Sequence, residues 1–144
     1  MKVGIRTIRY IAAEKVSDYS FLPPGSSLDL AAYQDGPLQE LPFTPESADL
    51  SENWGYDNDG KYSDATFSAS IRADRENYRP VLQRLAGKKH IFEVERIDGV
   101  KCIIGSREFL PTFTYGDSLS GISSSSFSIK IKLKSLHGIL FGKN

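Results

Sequence analysis

The sequence predicts a mainly β (α+β) fold, a compact β-sandwich or barrel-like domain with one short helix and a long acidic loop. Three observations carry this. Phe127, Ile129, Ile131 and Leu133 alternate with Ser128, Lys130, Lys132 and Lys134, the period of a half-buried strand. Ala65, Phe67, Ala69, Ile71 and Ala73 alternate in the same way. Asp98-Gly99 joins two apolar runs, His90–Ile97 and Val100–Phe109, as a hairpin turn would. The 144 residues suffice for a single domain, 1–144, with its own core.

Taken in order, 2–12 reads as a first strand with Val3, Ile5 and Ile11 on one face and Ile8 and Tyr10 on the other, hence buried on both sides. Pro23-Pro24-Gly25-Ser26-Ser27 breaks the chain. Leu28–Tyr33 is a short strand candidate, Gln34-Asp35-Gly36-Pro37 a turn, and 38–44 its hairpin partner. Residues 45–60 read as a long projecting loop or arm, with at most a short extended piece around Asn53–Tyr56; loops of this length are usually functional or mobile. After the 62–73 strand, Asp74 offers a helix N-cap. Tyr78, Val81, Leu82 and Leu85 give a helical stripe that stops at Gly87. Pro80 sits inside that stripe, so 74–79 reads as a separate turn with the regular helix starting at Pro80 as its first residue. Pro111–Tyr115 is extended, 116–126 is a Ser/Gly-rich loop expected to be flexible, and the alternating strand closes the pattern. Its apolar face is expected to pack against Phe67, Ile71, Val94 and the helix stripe.

No run approaches the ~20 apolar residues of a membrane span. Charge interrupts the apolar positions of Met1-Lys2-Val3-Gly4-Ile5-Arg6, so no signal-peptide core is expected and synthesis is expected in the cytoplasm. One cysteine, Cys102, excludes an internal disulfide. The formal net charge is zero but lopsided. Residues 16–60 carry nine acids and no Lys or Arg, which leaves +9 on the remainder. Such a partition points to a partner or to a second surface of the same chain.

Each chemical constellation competes with a plainer reading. Asp57-Asn58-Asp59-Gly60 lacks the spacing of a calcium loop, since Gly60 is fourth and Ser68 twelfth, and reads as an Asx-rich turn. Cys102, His90 and His137 are the only soft ligands. A two-residue Asp98-Gly99 turn pairs Ile97 with Val100, Glu95 with Cys102 and His90 with Arg107. Cys102 and His90 then point to opposite faces, which disfavours a dyad or a shared metal. Glu93 and Glu95 share a face beside Cys102 and Ile104, as a glycosidase pair or as a partly solvated strand. No Gly-x-Ser-x-Gly or phosphate loop occurs. Lys130, Lys132 and Lys134 form a comb that is solvated, guards an edge strand, meets an acidic protein surface, or meets nucleic acid. These readings predict no enzyme, no cofactor and no metal, and direct nucleic-acid binding is not expected.

The strings Phe67-Ser68-Ala69-Ser70-Ile71-Arg72, Leu82-Gln83-Arg84-Leu85-Ala86-Gly87-Lys88, Ile103-Ile104-Gly105 and Phe127-Ser128-Ile129-Lys130-Ile131 resemble phage and prophage virion proteins of the tail tube and tail terminator kind. The resemblance covers roughly residue 62 onward. It implies a non-enzymatic subunit that self-assembles into a ring or tube, contacts other virion proteins, and ends in the virion. The charge partition and the length of the 45–60 stretch predict an interface in which Trp54, Tyr56, Asp57 and Asp59 lie against a basic surface of a neighbouring subunit drawn from Lys88, Lys89, Arg96, Lys101, Lys130, Lys132 and Lys134, the alternative being that the segment folds back on its own basic body. The competing reading is a soluble β-sandwich module that binds a carbohydrate or small ligand through the aromatic stretch Trp54–Tyr62.

Overall fold

The computed structural model describes residues 4–43, 47–57, 60–72, 78–118 and 126–142. Ten strands and one helix follow in order: β1 Ile5–Ala12, β2 Ser27–Leu28, β3 Gln39–Glu40, β4 Asp49–Asp57, β5 Gly60–Arg72, α1 Tyr78–Gly87, β6 His90–Arg96, β7 Lys101–Ile104, β8 Thr112–Ser118, β9 Ser126–Ser135 and β10 Leu140–Gly142. They form a six-stranded sheet in the order β2-β10-β7-β6-β1-β3 and a four-stranded sheet in the order β4-β5-β9-β8. The sheets pack face to face as a β-sandwich, and among the described residues neither closes into a barrel.

Alternation determines which side chains fill the space between the sheets. Phe67 and Ile71 of β5 and Phe127, Ile129, Ile131 and Leu133 of β9 meet Ile8, Phe92, Val94 and Ile104 of the other sheet. Leu82 and Leu85 of α1 close one side of this core, and Val81 packs at its margin. The expected burial of the β9 apolar face therefore holds. Each such side chain contributes about 1.5–3 kcal/mol, and a one-residue slip would turn the whole set outward. Helix α1 covers the expected stripe but begins at Tyr78, so Pro80 is its third residue and not its first; no intrahelical N–H is lost there. Asp74, offered as its cap, lies outside the described residues, as does most of the Ser/Gly stretch after Ser118.

The six-stranded sheet is covered on its second face too. Ile11, Ile91, Ile103 and Leu140 pack there against Val16, Tyr19, Leu28 and Leu30. The two-sided burial expected of the first strand is thus real, but Ile5 packs with Ile8 and Tyr10 and not on the Ile11 side, the register shifting between Ile5 and Thr7. The segment from Val16 to Leu30 is a strap across its own sheet, held by the Tyr19 hydroxyl donating to the Gly105 carbonyl at 2.7 Å. Acidic residues Asp18, Asp29 and Asp35 ride on this strap or beside it.

Four further expectations need correction. Residues 49–57 are a strand, not a loop or arm: β4 pairs with β5 from Asp49↔Ser68 to Asp57↔Gly60. The 28–33 and 38–44 segments do not form a hairpin. A 3₁₀ turn spans Leu30–Ala32, β2 pairs in parallel with β10, and β3 pairs with β1. The strand after Asp98-Gly99 is shorter than expected, because Gly105 turns the chain at φ +109° against Pro111. The turn itself spans three residues. Arg96 N–H bonds to the Val100 carbonyl, and Gly99 takes φ +90°, the left-handed position that ends such turns. The register consequently moves by one, to Val94↔Cys102 and Glu95↔Lys101.

Candidate interaction surface

The outer face of the four-stranded sheet is a polar array built by the pleat. Its rows run Asp49–Ser68–Lys130–Thr114, Ser51–Thr66–Lys132–Thr112 and Asn53–Asp64–Lys134. Lys130, Lys132 and Lys134 are exposed, and the Lys134 ammonium lies 4.2 Å from the centre of the Tyr62 ring. Beside the comb an open trough of about 460 Å³ is lined by Ser68, Ser70, Thr114, Gly116, Ser128 and Lys130. The comb is flanked by Asp49 and Asp64, so this face carries both signs.

The sheet ends in two edge strands, β4 of nine residues and β8 of seven. β5 outruns β9: its pairing to β9 ends at Ser63, and Gly60, Lys61 and Tyr62 pair with β4 alone. The overhang carries Tyr56, 79% exposed; Trp54, 38% exposed, stands just inside it, in the last row still backed by β9.

Trp54 is anchored. Glu52 accepts a hydrogen bond from Trp54 Nε1 at 3.0 Å on one oxygen, and from the Ser63 hydroxyl at 2.9 Å and the Ile139 amide at 2.6 Å on the other. Gly138 lies under the indole. A Cβ there would stand 2.6 Å from Trp54 and 2.8 Å from Glu52, and its φ is +71°. The Lys61 ammonium sits 5.1 Å from the centre of the Trp54 ring. Edge strand β4 is therefore clamped to the β9–β10 turn. Glu52, Ser63 and Gly138 were not singled out in the sequence, because Glu52 and Gly138 stand far apart in the chain and match no motif.

Of the interface residues expected from the sequence, Tyr56 lies on the overhang and Trp54 beside it, opposite Ser63 in the last row backed by β9. Asp57 is the last residue of β4, and Asp59 lies outside the described residues. Lys130, Lys132 and Lys134 stand together on the outer face. Lys88 and Lys89 are elsewhere, exposed after α1, and Arg96 and Lys101 flank the β6–β7 turn of the other sheet. The basic residues thus form separate groups rather than one patch.

The soft ligands remain apart for a corrected reason. With Val94 opposite Cys102, His90 and Cys102 face the same side of the sheet, four residues out of register, roughly 13 Å along a strand. Burial pushes the Cys102 thiol up and the His90 imidazole down. Glu93 and Glu95 are each met by an arginine, Arg9 at 3.4 Å and Arg6 at 4.0 Å, which fits a structural role for both. Among the described residues no cluster of three or more metal-ligating side chains occurs. A buried polar chain was not foreseen: Ser106 Oγ stands 2.8 Å from His137 Nε2 and 2.8 Å from Ser20 Oγ. Ser106 is fully buried, so this serine–histidine contact is closed to a substrate. No helix among the described residues is long and apolar enough to cross a membrane. Comparison of the chain with protein-family models, with curated proteins and with solved structures gives no match.

Proposed function

We propose that this chain is a non-enzymatic structural subunit that self-assembles into a ring or tube of the phage-tail kind, by adding β4 of one copy to β8 of the next. The observation that carries the reading is the pair of long edge strands on one sheet, nine and seven residues, beside a second sheet whose edge strands have two residues each. Long edges are templates for strand addition, and proteins that remain monomeric shorten, charge or cover them. All pairings in the four-stranded sheet are antiparallel, so its two edge strands run in opposite directions. Copies related by rotation then continue the antiparallel alternation across each junction. Such a head-to-tail contact closes into a ring or extends into a filament. The end of the β4–β5 hairpin would meet a neighbouring copy with Trp54 and Tyr56, large side chains with few rotors, as suits an interface anchor.

Cysteine cross-linking tests this. Asn53→Cys is combined in turn with Thr112→Cys, Thr114→Cys and Gly116→Cys, and the protein is oxidised. One pairing is expected to yield a covalent ladder of oligomers, while each single variant gives none. Absence of a ladder from all three pairings in folded, concentrated protein refutes strand addition at these edges. A chain that instead stays monomeric and retains a sugar through Trp54 and Tyr56 belongs to the binding-module class.

A further inference from the structure

The two terminal strands of the four-stranded sheet do not stand level. β8 lies beside one half of the sheet: Thr112 falls in the row of Lys132 and Thr66, and Ser118 in the row of Ser126 and Arg72. β4 lies beside the other half, from Asp49 in the row of Ser68 to Asp57 in the row of Gly60. Only the rows of β5 residues 66–68 carry both strands. The backbone along each edge alternates as well. The Ser70 amide, just past the start of β4, donates to Ser47 Oγ at 3.0 Å, so the even residues of β5 turn their backbone groups toward β4. Thr114 Oγ1 donates to the Lys130 carbonyl at 3.4 Å, so the even residues of β9 turn theirs toward β8. In an antiparallel ladder the residues between face the other way. Leu50, Glu52, Trp54 and Tyr56 therefore present backbone N–H and C=O at the β4 edge, and Phe113, Tyr115 and Asp117 present theirs at the β8 edge.

We infer that a second copy joins with its β8 slipped by four or six residues along β4, which sets Asn53 opposite Thr114 or Gly116 and leans the strands away from the axis of the assembly. The inference rests on the proposed addition of β4 to β8. Odd slips are excluded, because they set bonding residues of one edge against non-bonding residues of the other and oppose outer-face side chains to core-side ones. Among even slips the overlap decides. With no slip, residues 49–51 meet 112–114, and a slip of two pairs 49–53 with 112–116. Slips of four and six engage all seven residues of β8, against 49–55 and 51–57, and a slip of eight falls back to 53–57 against 114–118. Main-chain bonds supply the affinity of strand addition, so the full-length registers win. Each copy brings four strands, about 19 Å of width at about 4.8 Å per strand, and a slip of four or six residues is about 13 or 20 Å along them. The strands then lean by about 35–46°, close to the tilt of about 35–45° at which staggered strands close on themselves. The stagger built into one copy thus supplies the shear that closure needs.

Disulfide trapping tests the slip. At this junction the odd residues of β4 and the even residues of β8 form the non-hydrogen-bonded pairs, whose side chains stand closest, whereas diagonal neighbours lie about 7–8 Å apart, beyond disulfide reach. The positions replaced are exposed, and a Cβ at Gly116 meets Ser128 Oγ at an ordinary 3.6 Å. In concentrated, oxidised whole chain with the wild-type circular dichroism, Asn53→Cys with Thr114→Cys, or Asn53→Cys with Gly116→Cys, should give a covalent ladder. Asn53→Cys with Thr112→Cys traps a slip of two, Ser51→Cys with Thr112→Cys traps no slip, and both should give none. A ladder from either of the latter pairs that matches or exceeds those of the former leaves strand addition standing and overturns the slip. Absence of a ladder from all four pairs overturns strand addition itself, and the slip with it.

Discussion

The two sheets of this sandwich solve the edge problem in opposite ways. The six-stranded sheet is buried on both faces, by the common core on one and by the 16–30 strap on the other, and it ends in β2 and β3, two residues each. The four-stranded sheet buries one face, leaves the other polar and wet, and ends in strands of nine and seven residues. A sheet finished in the first manner offers little backbone to a partner; one finished in the second offers two rows of it. On the proposed reading the first sheet carries stability and the second association, and substitutions can pull these apart.

The largest effect should come from the core that both sheets share. Phe67→Ala removes a fully buried ring and is expected to cost about 3–5 kcal/mol, read as a fall in the urea midpoint at unchanged slope. Next comes the clamp on β4. Gly138→Ala forces a non-glycine residue into a left-handed conformation, about 1–3 kcal/mol, and adds a clash with Trp54. Trimming Trp54 to Ala should relieve the clash but not the backbone strain, so a double-mutant cycle of the two should be non-additive. Acidity should weaken the fold as well. Burial pushes His90 and His137 below their ordinary 6.5. The unfolded chain then binds more protons than the native one as pH falls through 6.5, so stability is full above that value and declines as pH drops toward the folded pKa values. Denaturant midpoints at about pH 7.5 and about pH 5.5 should show the loss. The smallest effect is expected on the comb, where Lys130→Ala or Lys132→Ala should move stability by no more than about 0.5 kcal/mol, because exposed charges on a mixed-sign face contribute little.

What the sequence discloses follows from how each element is specified. β5, β9 and α1 announce themselves because their own apolar residues recur at the right period. β4 does not: Asp49, Asn53, Gly55 and Asp57 are poor strand formers, and its core-side Glu52 is polar. It is a strand because Ser63 and the Ile139 amide satisfy that carboxylate and Gly138 makes room for the indole, all of which are tertiary facts. The β6–β7 register misleads for a local reason. Asp98-Gly99 suits a two-residue turn, yet Asp98 binds the Arg96 side chain and the Val100 amide across a three-residue one. Strands of two residues such as β2 and β3 have no period to read, and their partners lie far along the chain or across the other sheet edge. The proposed association surface was half legible: Trp54, Tyr56 and the lysine comb stand out by composition, but that β4 and β8 are the terminal strands of one sheet emerges only from the pairing.

Sedimentation velocity of the wild type beside Ser51→Lys/Asn53→Lys tests the central claim most directly. The two lysines sit on the solvent side of β4 and would stand beside the Thr112, Thr114 and Gly116 side of β8 in an adjoining copy, one strand short of its lysine comb. The account predicts a wild type that sediments as a closed higher oligomer, or becomes one as concentration rises, and a variant that stays monomeric with the wild-type circular dichroism. A wild type that remains monomeric at the highest concentration, or a folded variant that assembles as readily as the wild type, would contradict it.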